Sequence, residues 1–538
     1  MKRKNLEGTL QPCYSHSFKN LPPIRECRYM DTSRQSIIQH CLNKIEAWGN
    51  ALPHPTMLFV YLCFIVIGVS WLGEFLALSA IHPVNAEAVQ AVSLLNSAGI
   101  HQIVGKMVSN FMEFAPVGPV LVAMLGLGIA EHSGLIQTAL RLLVIKAPSK
   151  FLTFIVVLSG VLSSIAVDSG YVVMIPMAGL IFLAAGKHPL AGIAACFAGV
   201  SGGFSANLMV GPFDAILGGI STEAAHLIDQ SYEVTATANY YFIAVSTLLI
   251  SCVATWVTER YIGPRLGEYQ GAYSNEMSEC LSGEERKGLK AALLAGLFIL
   301  VCVLWGVIPQ DGFLRNTETG GIIKSPFMSG LIAIIALSAA MMGCIYGKVS
   351  GRFKSHADVI LSMEKSMAIM APYIVLMFFA AQFVNYFNWT NLGLILAING
   401  AEFLENSGLG IVPLMLGFIF FCALANLFIG SASAKWAIMA PIFIPMFMLL
   451  GMSPEVVQAA YRVGDSSTNI ITPLMPYFAL VFAFMKRYDE HVGVGTMMTL
   501  MLPYSFAFLF AWGLLLSAWI ALGVPLGPDG FLYYQPSR

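Results

Sequence analysis

Apolar residues along this chain come in runs near the roughly 20 residues that cross the hydrocarbon core of a bilayer. They lie at about 56–80, 114–134, 189–212, 237–260, 288–308, 326–346, 369–389, 456–485 and 496–522. These nine runs predict transmembrane helices. Two further apolar stretches, 151–186 and 408–449, do not fit simple alternation across a membrane. Arg141, Lys146 and Lys150 precede the first and Lys187 follows it, so both of its ends read as cytoplasmic by the positive-inside rule. Its middle, LSSIAVDSG, is small and polar, with Asp168 inside it. No Lys or Arg falls between Trp389 and Ala434 or between Trp436 and Tyr461, so both ends of the second stretch read as periplasmic. Its middle, GSASAKW, is again small and polar. Each stretch is expected to enter and return on one side as a re-entrant hairpin, and the two open to opposite sides.

Lys/Arg-rich segments at 260–290, 348–365 and 486–487 alternate with basic-free loops at 213–236 and 390–407. Nine spans and two hairpins then put the N-terminus in the cytoplasm and the C-terminus outside. Segments 135–150, 263–287 and 347–367 are expected as interfacial helices or cytoplasmic loops. The organisation that follows is a cytoplasmic leader over 1–50, a first half over 51–287, a second half over 288–527 and a periplasmic tail over 528–538. The leader has no apolar core for a cleavable signal peptide, and Met30 is an alternative start.

Composition narrows the class. At 57% hydrophobic and 11% charged residues, with a mean hydropathy of +0.73, the chain is far from a soluble globular protein, where about 25% of residues are charged. A net charge of -1 gives no basic footprint for nucleic acid. Ten cysteines occur without a CxxC and read as apolar fillers and loop thiols, with Cys13, Cys27 and Cys41 in the leader and Cys280 in a polar loop. No zinc or P-loop spacing is present, and no cofactor is expected.

Against this background, Tyr461 to Pro476, YRVGDSSTNIITPLMP, places an arginine, an aspartate and several hydroxyl and amide side chains at membrane depth. A charge near the bilayer centre costs at least ~2.5–3.5 kcal/mol and marks a candidate functional site. Pro473 and Pro476 should break the helix here, and broken helices in transporters line binding sites. The pattern recurs. SSIAVDSGYVVMIP (Ser163–Pro176) and SGGFSANLMVGPFD (Ser201–Asp214) correspond to GSASAKWAIMAP (Gly430–Pro441) and GDSSTNIITP (Gly464–Pro473). Aligning Pro176 with Pro441 sets Tyr171 opposite Trp436, with Asn207 31 residues past its proline and Asn469 28 past its own. Hairpins of opposite hand make this an inverted repeat with broken spans 189–214 and 456–485, the architecture of secondary transporters.

Each candidate has a bland counterpart. Arg462 and Asp465, at i and i+3, read either as a self-neutralising pair on one helix face or as a site in which the Arg fork grips a substrate carboxylate. Asn207 and Asn469, with Ser205, Ser466, Ser467 and Thr468, read as interhelical glue or as Na⁺ ligands beside unwound backbone. Asp168 and Asp214 read as helix caps or as proton carriers, with Asp214 favoured for sharing the broken-span position with Asp465. Trp436 reads as an interfacial belt residue or as a stacking platform for an aromatic ligand. Lys435 is expected to snorkel to the surface, and Glu131 and His132 to lie at the interface.

GSASAKWAIMAPIFIPMFMLLG, YRVGDSSTNIITPLMPYF, AGVSGGFSANLMVGPFDAILGGIS and FNWTNLG resemble the AbgT family of p-aminobenzoyl-glutamate transporters, from about Trp48 through Gly527, and are more similar to its antimetabolite-exporting branch. The resemblance implies an all-α homodimer in the bacterial inner membrane, each subunit with nine spans and two hairpins arranged as an inner core and an outer scaffold. It also implies functional positions at Asp214, Trp436, Pro454, Arg462, Asp465 and Pro473, with Lys435 outside that set. Asp214 stands in PFDAIL where relatives carry Thr-x-Asp. The implied activity is secondary transport, H⁺ or Na⁺ coupled, of p-aminobenzoyl-glutamate and of sulfonamides carrying the same aminophenyl ring. A Na⁺/dicarboxylate symporter is the alternative within transport. An intramembrane enzyme is disfavoured by the lack of HExxH, GxSxG or paired catalytic aspartates.

Overall fold

The computed structural model describes residues 54–81, 88–145, 148–165, 170–269, 281–317, 319–321, 325–472, 475, 477–490 and 492–534. The expectations for the leader with Cys13, Cys27 and Cys41, for Cys280, for Asp168 and for Pro473 fall outside these residues. Among the described residues the protein is mostly helical, as its long apolar runs require: with no water in the hydrocarbon layer, a spanning backbone must satisfy its own N–H and C=O groups. A single short antiparallel pair, Ser79–Ile81 with Ala88–Gln90, is the strand pairing among the described residues.

In the first half α1 (Pro55–Phe75), α2 (Ser97–Met112), α3 (Val117–His132) and α4 (Leu135–Ile145) precede two shorter helices, α5 (Leu152–Leu162) and α6 (Ile175–Ala184). Then come α7 (Pro189–Phe197), α8 (Pro212–Ala225) and α9 (Tyr240–Val257). The second half contains α10 (Gly283–Val307), α11 (Leu331–Val349), α12 (His356–Trp389), α13 (Leu392–Asn406), α14 (Ile411–Asn426), α15 (Ala432–Leu449), α16 (Pro454–Asn469), α17 (Phe478–Lys486) and α18 (Val494–Leu522).

Eight helical stretches among the described residues are long and apolar enough to cross a membrane. The number differs from the nine expected runs for a physical reason. Runs 189–212 and 456–485 are divided into α7/α8 and α16/α17, while Ala432–Leu449, expected as one arm of a hairpin, is itself long enough to count. Segment 347–367, expected as an interfacial helix or a cytoplasmic loop, is mostly helix, because Asp358 accepts the Lys354 and Ser355 N–H groups at 2.7 and 2.8 Å and starts α12 early. Two loop assignments are corrected. Segment 390–407 is largely α13, and 213–236 contains most of α8. The absence of Lys and Arg there does not specify the backbone conformation.

Burial differs widely among the helices. Gly283–Val307 and Leu331–Val349 bury only 11% and 22% of their apolar windows, whereas Ala432–Leu449 buries 67%. At the centre is α16, polar along most of its length yet buried at every position from Pro454 through Thr468. It packs on α14, α15, α18, α8 and the π-helical turn Ala198–Gly202 that ends α7.

An offset of 265 residues carries Pro176 onto Pro441, Pro189 onto Pro454 and Gly199 onto Gly464. The structural roles repeat. Pro189 and Pro454 each open a helix at the position where a missing N–H costs nothing. Gly199 lets the turn that ends α7 approach α5, and Gly464 lets α16 approach α14: a Cβ on Gly199 would lie 2.5 Å from Val157 O, and one on Gly464 2.6 Å from Cys422 Cβ. Gly464→Ala is therefore expected to force α14 and α16 apart, with an overpacking cost of about 1–3 kcal/mol. A fall of several degrees in the unfolding midpoint of the detergent-solubilised protein checks this, and an unchanged midpoint would contradict the close packing.

Candidate functional site

The break in the first broken span follows from glycine and from crowding. After α7 the chain makes the Ala198–Gly202 π turn and then runs non-helically from 203 to 211 before α8 begins at Pro212. In the second span α16 ends at Asn469, ahead of Pro473, consistent with proline disfavouring helix in the residue before it. The first break touches α16 near its C-terminal end: Ser205 N–H donates to Ser466 Oγ at 3.2 Å.

The structure takes Arg462 and Asp465 apart as a pair. Arg462 Nη2 donates to Asp214 Oδ1 at 2.6 Å, joining α16 of the second half to the first turn of α8. Asp465 Oδ1 instead pairs with the Lys435 ammonium. Both pairs are sealed from solvent, with Arg462 2% and Asp465 and Lys435 0% exposed. The snorkelling expected of Lys435 is thus overturned. Its position in the first turn of α15, just past the non-helical segment 427–431, aims the side chain inward, and Asp465 and Asn426 supply the oxygens that hold it. The self-neutralising reading of Arg462 and Asp465 fails too, because each has a partner on another helix.

Asp214 has a second role. Its Oδ2 accepts the Gly211 N–H at 2.7 Å, so the carboxylate caps α8 as well as pairing with Arg462. It lies beyond the break, whereas Asp465 lies before one. Under the 265-residue offset Asp465 corresponds to Val200, Arg462 to Phe197 and Lys435 to Gly170, so the shared position expected for Asp214 and Asp465 is corrected. The repeat is one of backbone, and the charges have been installed mainly in its second copy.

Trp436 is fully buried, which removes the interfacial-belt reading. Its ring stacks on Tyr461 at 4.5 Å between centroids. Its Nε1 donates to Ser221 Oγ at 3.1 Å, and Ser221 donates on to Gln458 Oε1 at 2.8 Å. Pro454 opens α16. The repeat counterpart of Trp436, Tyr171, stacks on Tyr477 just beyond the second break, 4.2 Å apart and nearly parallel.

The two asparagines part company. Asn207 Oδ1 accepts the Leu208 and Met209 N–H groups, and its Nδ2 donates to Ser164 Oγ at 2.9 Å. Asn469 Oδ1 accepts from Asn426 Nδ2 at 2.8 Å, which places it beside the Lys435–Asp465 pair. Asn426 is a residue the sequence reading missed. The signal was an amide set in the apolar run FFCALANLF just ahead of the hairpin tip. Ser221, Gln458 and Tyr461 were also missed as site residues, since polar side chains on an otherwise unremarkable helix do not announce what they face.

Arg462 Nε and Asp465 Oδ2 are buried without any hydrogen-bond partner. A native interior satisfies nearly all such groups, so these two ask for a ligand or a rearrangement. The site therefore offers one guanidinium with a spare donor and one carboxylate with a spare acceptor, next to a stacked indole and phenol. Its charged and aromatic groups are enclosed in this structure, so an organic molecule must displace packed side chains to reach them.

A model of the AbgT putative transporter family matches residues 40–534. A p-aminobenzoyl-glutamate transport protein of Escherichia coli (strain K12) is 37% identical over 484 residues, which cover 90% of this chain and 95% of that protein. Among solved structures, the YdaH transporter of Alcanivorax borkumensis, described as having an unusual topology, is 51% identical. Its TM-score is 0.85, with 88% of this chain and 100% of that one covered. Neisseria gonorrhoeae MtrF, described as illuminating a class of antimetabolite efflux pumps, is 46% identical with a TM-score of 0.86, over 90% of this chain and 99% of that one.

Proposed function

The chain belongs to the AbgT family of membrane transporters, and from that premise we propose that it is a secondary active transporter of p-aminobenzoyl-glutamate and related folate-pathway aromatics. Transport is driven by H⁺ or Na⁺ and extends to export of sulfonamide antimetabolites. The observation that carries the reading is the Arg462 guanidinium: buried, anchored through Nη2 to Asp214, and left with an Nε–H that has no acceptor. A substrate carboxylate is the natural acceptor, because the planar fork of arginine binds carboxylates through parallel charge-assisted bonds.

In this reading Arg462 holds the substrate carboxylate, and Trp436 with Tyr461 forms the aromatic wall for the aminobenzoyl ring. Pro454 and Pro473 are assigned with them to the substrate site. Asp214 and Asp465 couple the ion, with Asn207, Asn469 and Asp168 assigned to the same ion-coupling set. The architecture we propose is a homodimer in the bacterial inner membrane with the N-terminus in the cytoplasm. Each subunit has nine spans and two re-entrant hairpins, α5/α6 and α14/α15, in two inverted halves, 51–287 and 288–527. The contrast between the buried α15 and α16 and the weakly buried α10 and α11 supports an inner core carried by an outer scaffold. Family membership sets aside the dicarboxylate-symporter alternative.

The test is flux of radiolabelled p-aminobenzoyl-glutamate in proteoliposomes, with a pH or Na⁺ gradient imposed separately and in each direction. Flux that follows one of these gradients and is inhibited by an unlabelled sulfonamide is expected. Absence of flux under every gradient would overturn the reading.

A further inference from the structure

We infer that the Lys435 ammonium is a tethered cation, filling from within the chain a site that would otherwise take a monovalent metal ion such as Na⁺. The inference rests on the transporter reading for its significance, since it concerns the ion that drives transport.

The surroundings of Nζ are those of a bound cation. It contacts Asp465 Oδ1 from α16 and Asn426 Oδ1 from the end of α14. It also lies 5.8 Å from the centre of the Tyr461 ring, on whose face a cation is attracted. Asn426 is held in one orientation because its Nδ2, with two N–H bonds to give, lies within hydrogen-bonding distance of three acceptors, Asp465 O at 2.7 Å, Thr468 Oγ1 at 2.9 Å and Asn469 Oδ1 at 2.8 Å. With its amide nitrogen so committed, its carbonyl oxygen faces the ammonium. Tyr461 OH has one proton for two acceptors, Ala432 O at 2.5 Å and Asp465 Oδ1 at 3.3 Å. Asp465 Oδ2 is left over, buried and without a partner.

A carboxylate, an amide carbonyl fixed by its own N–H₂ group and a hydroxyl are the hard oxygen donors that alkali and alkaline-earth cations prefer. A lone carboxylate here would need a counter-charge, because an uncompensated buried charge is strongly destabilising. Lys435 supplies that charge permanently. A chain so equipped has no need of Na⁺ to neutralise Asp465, and a chain deprived of Lys435 acquires a vacant oxygen site with a full negative charge.

The experiment uses the full-length protein purified in detergent, comparing NaCl with choline chloride at constant ionic strength. The readouts are the thermal unfolding midpoint and equilibrium ²²Na⁺ binding. Wild type is expected to show the same midpoint in both salts and no saturable Na⁺ binding. Lys435→Ala is expected to unfold several degrees lower in choline, to regain most of that loss as Na⁺ is added, and to bind close to one Na⁺ per chain. The Na⁺ response should vanish in Lys435→Ala/Asp465→Asn. Saturable Na⁺ binding by wild type that is lost in Asp465→Asn would overturn the inference, as would a folded Lys435→Ala indifferent to Na⁺. If Lys435→Ala cannot be recovered in either salt, Lys435→Asn takes its place, and the wild-type measurement decides by itself in either direction. Because the readout is ion binding and not flux, its failure is distinguishable from failure of the transport reading.

Discussion

Arg462→Ala is expected to reduce p-aminobenzoyl-glutamate flux to the level of protein-free vesicles while the dimeric or monomeric elution profile of the purified protein is kept. The guanidinium makes a buried ion pair between the two halves, Nη2 to Asp214 Oδ1 at 2.6 Å. Its removal leaves Asp214 buried with only the Gly211 N–H as donor. Breaking one side of a buried pair costs about 3–5 kcal/mol, so stability falls along with transport, and the two losses must be separated. Arg462→Met/Asp214→Asn does this. With both charges gone, the unfolding midpoint should recover most of its loss, since replacing a buried pair as a unit is often close to neutral. Flux should not recover, because no cation remains to take the substrate carboxylate. Arg462→Lys keeps the charge but not the fork, and should transport at a tenth of the wild-type rate or less. If the double variant transports normally, Arg462 is a structural strut and the substrate site lies elsewhere.

Much of this organisation was legible in the sequence, and the reason is the bilayer. Long apolar runs report helices because lipid leaves the backbone few other choices, and a charged, proline-punctuated stretch such as Tyr461–Pro476 stands out because charge there is costly. The buried site around α16 was found that way. What was not legible is pairing. Arg462 and Asp465 at i and i+3 look like each other's partners, yet Asp214 and Lys435 reach them from helices 248 and 30 residues away along the chain. Lys435 next to Trp436 reads as a pair of surface anchors until the fold turns both inward. Asn426, which orients the oxygen facing Lys435, is a single amide in an apolar run, and its meaning exists only once α14 and α16 are side by side. Gly464 shows the same limit from the other direction: its smallness matters because a neighbouring helix backbone is there.

The second large effect is expected at Asp465. Asp465→Asn leaves the Lys435 ammonium facing Asn426 Oδ1 and the Tyr461 ring, with no negative charge in contact. An uncompensated ammonium in a site with 0% exposure should lower stability by about 3–5 kcal/mol, enough to lower the yield of folded protein several-fold and its unfolding midpoint by several degrees. Gradient-driven flux per folded molecule should fall by about two orders of magnitude, because Asp465, the carboxylate proposed to couple the ion, is gone and the ammonium loses the charge that holds it in place. Lys435→Met/Asp465→Asn separates these effects. Removing both charges should restore the midpoint to within a few degrees of wild type, since the methionine stem fills much of the lysine's volume, while coupling to the imposed gradient stays lost. Substrate exchange with no gradient, measured by preloading vesicles with unlabelled p-aminobenzoyl-glutamate, should then survive in the double variant, because Arg462 and Trp436 are untouched. Coupled transport at the wild-type rate in that variant would reduce the Lys435–Asp465 pair to packing and move the ion-coupling role to Asp214.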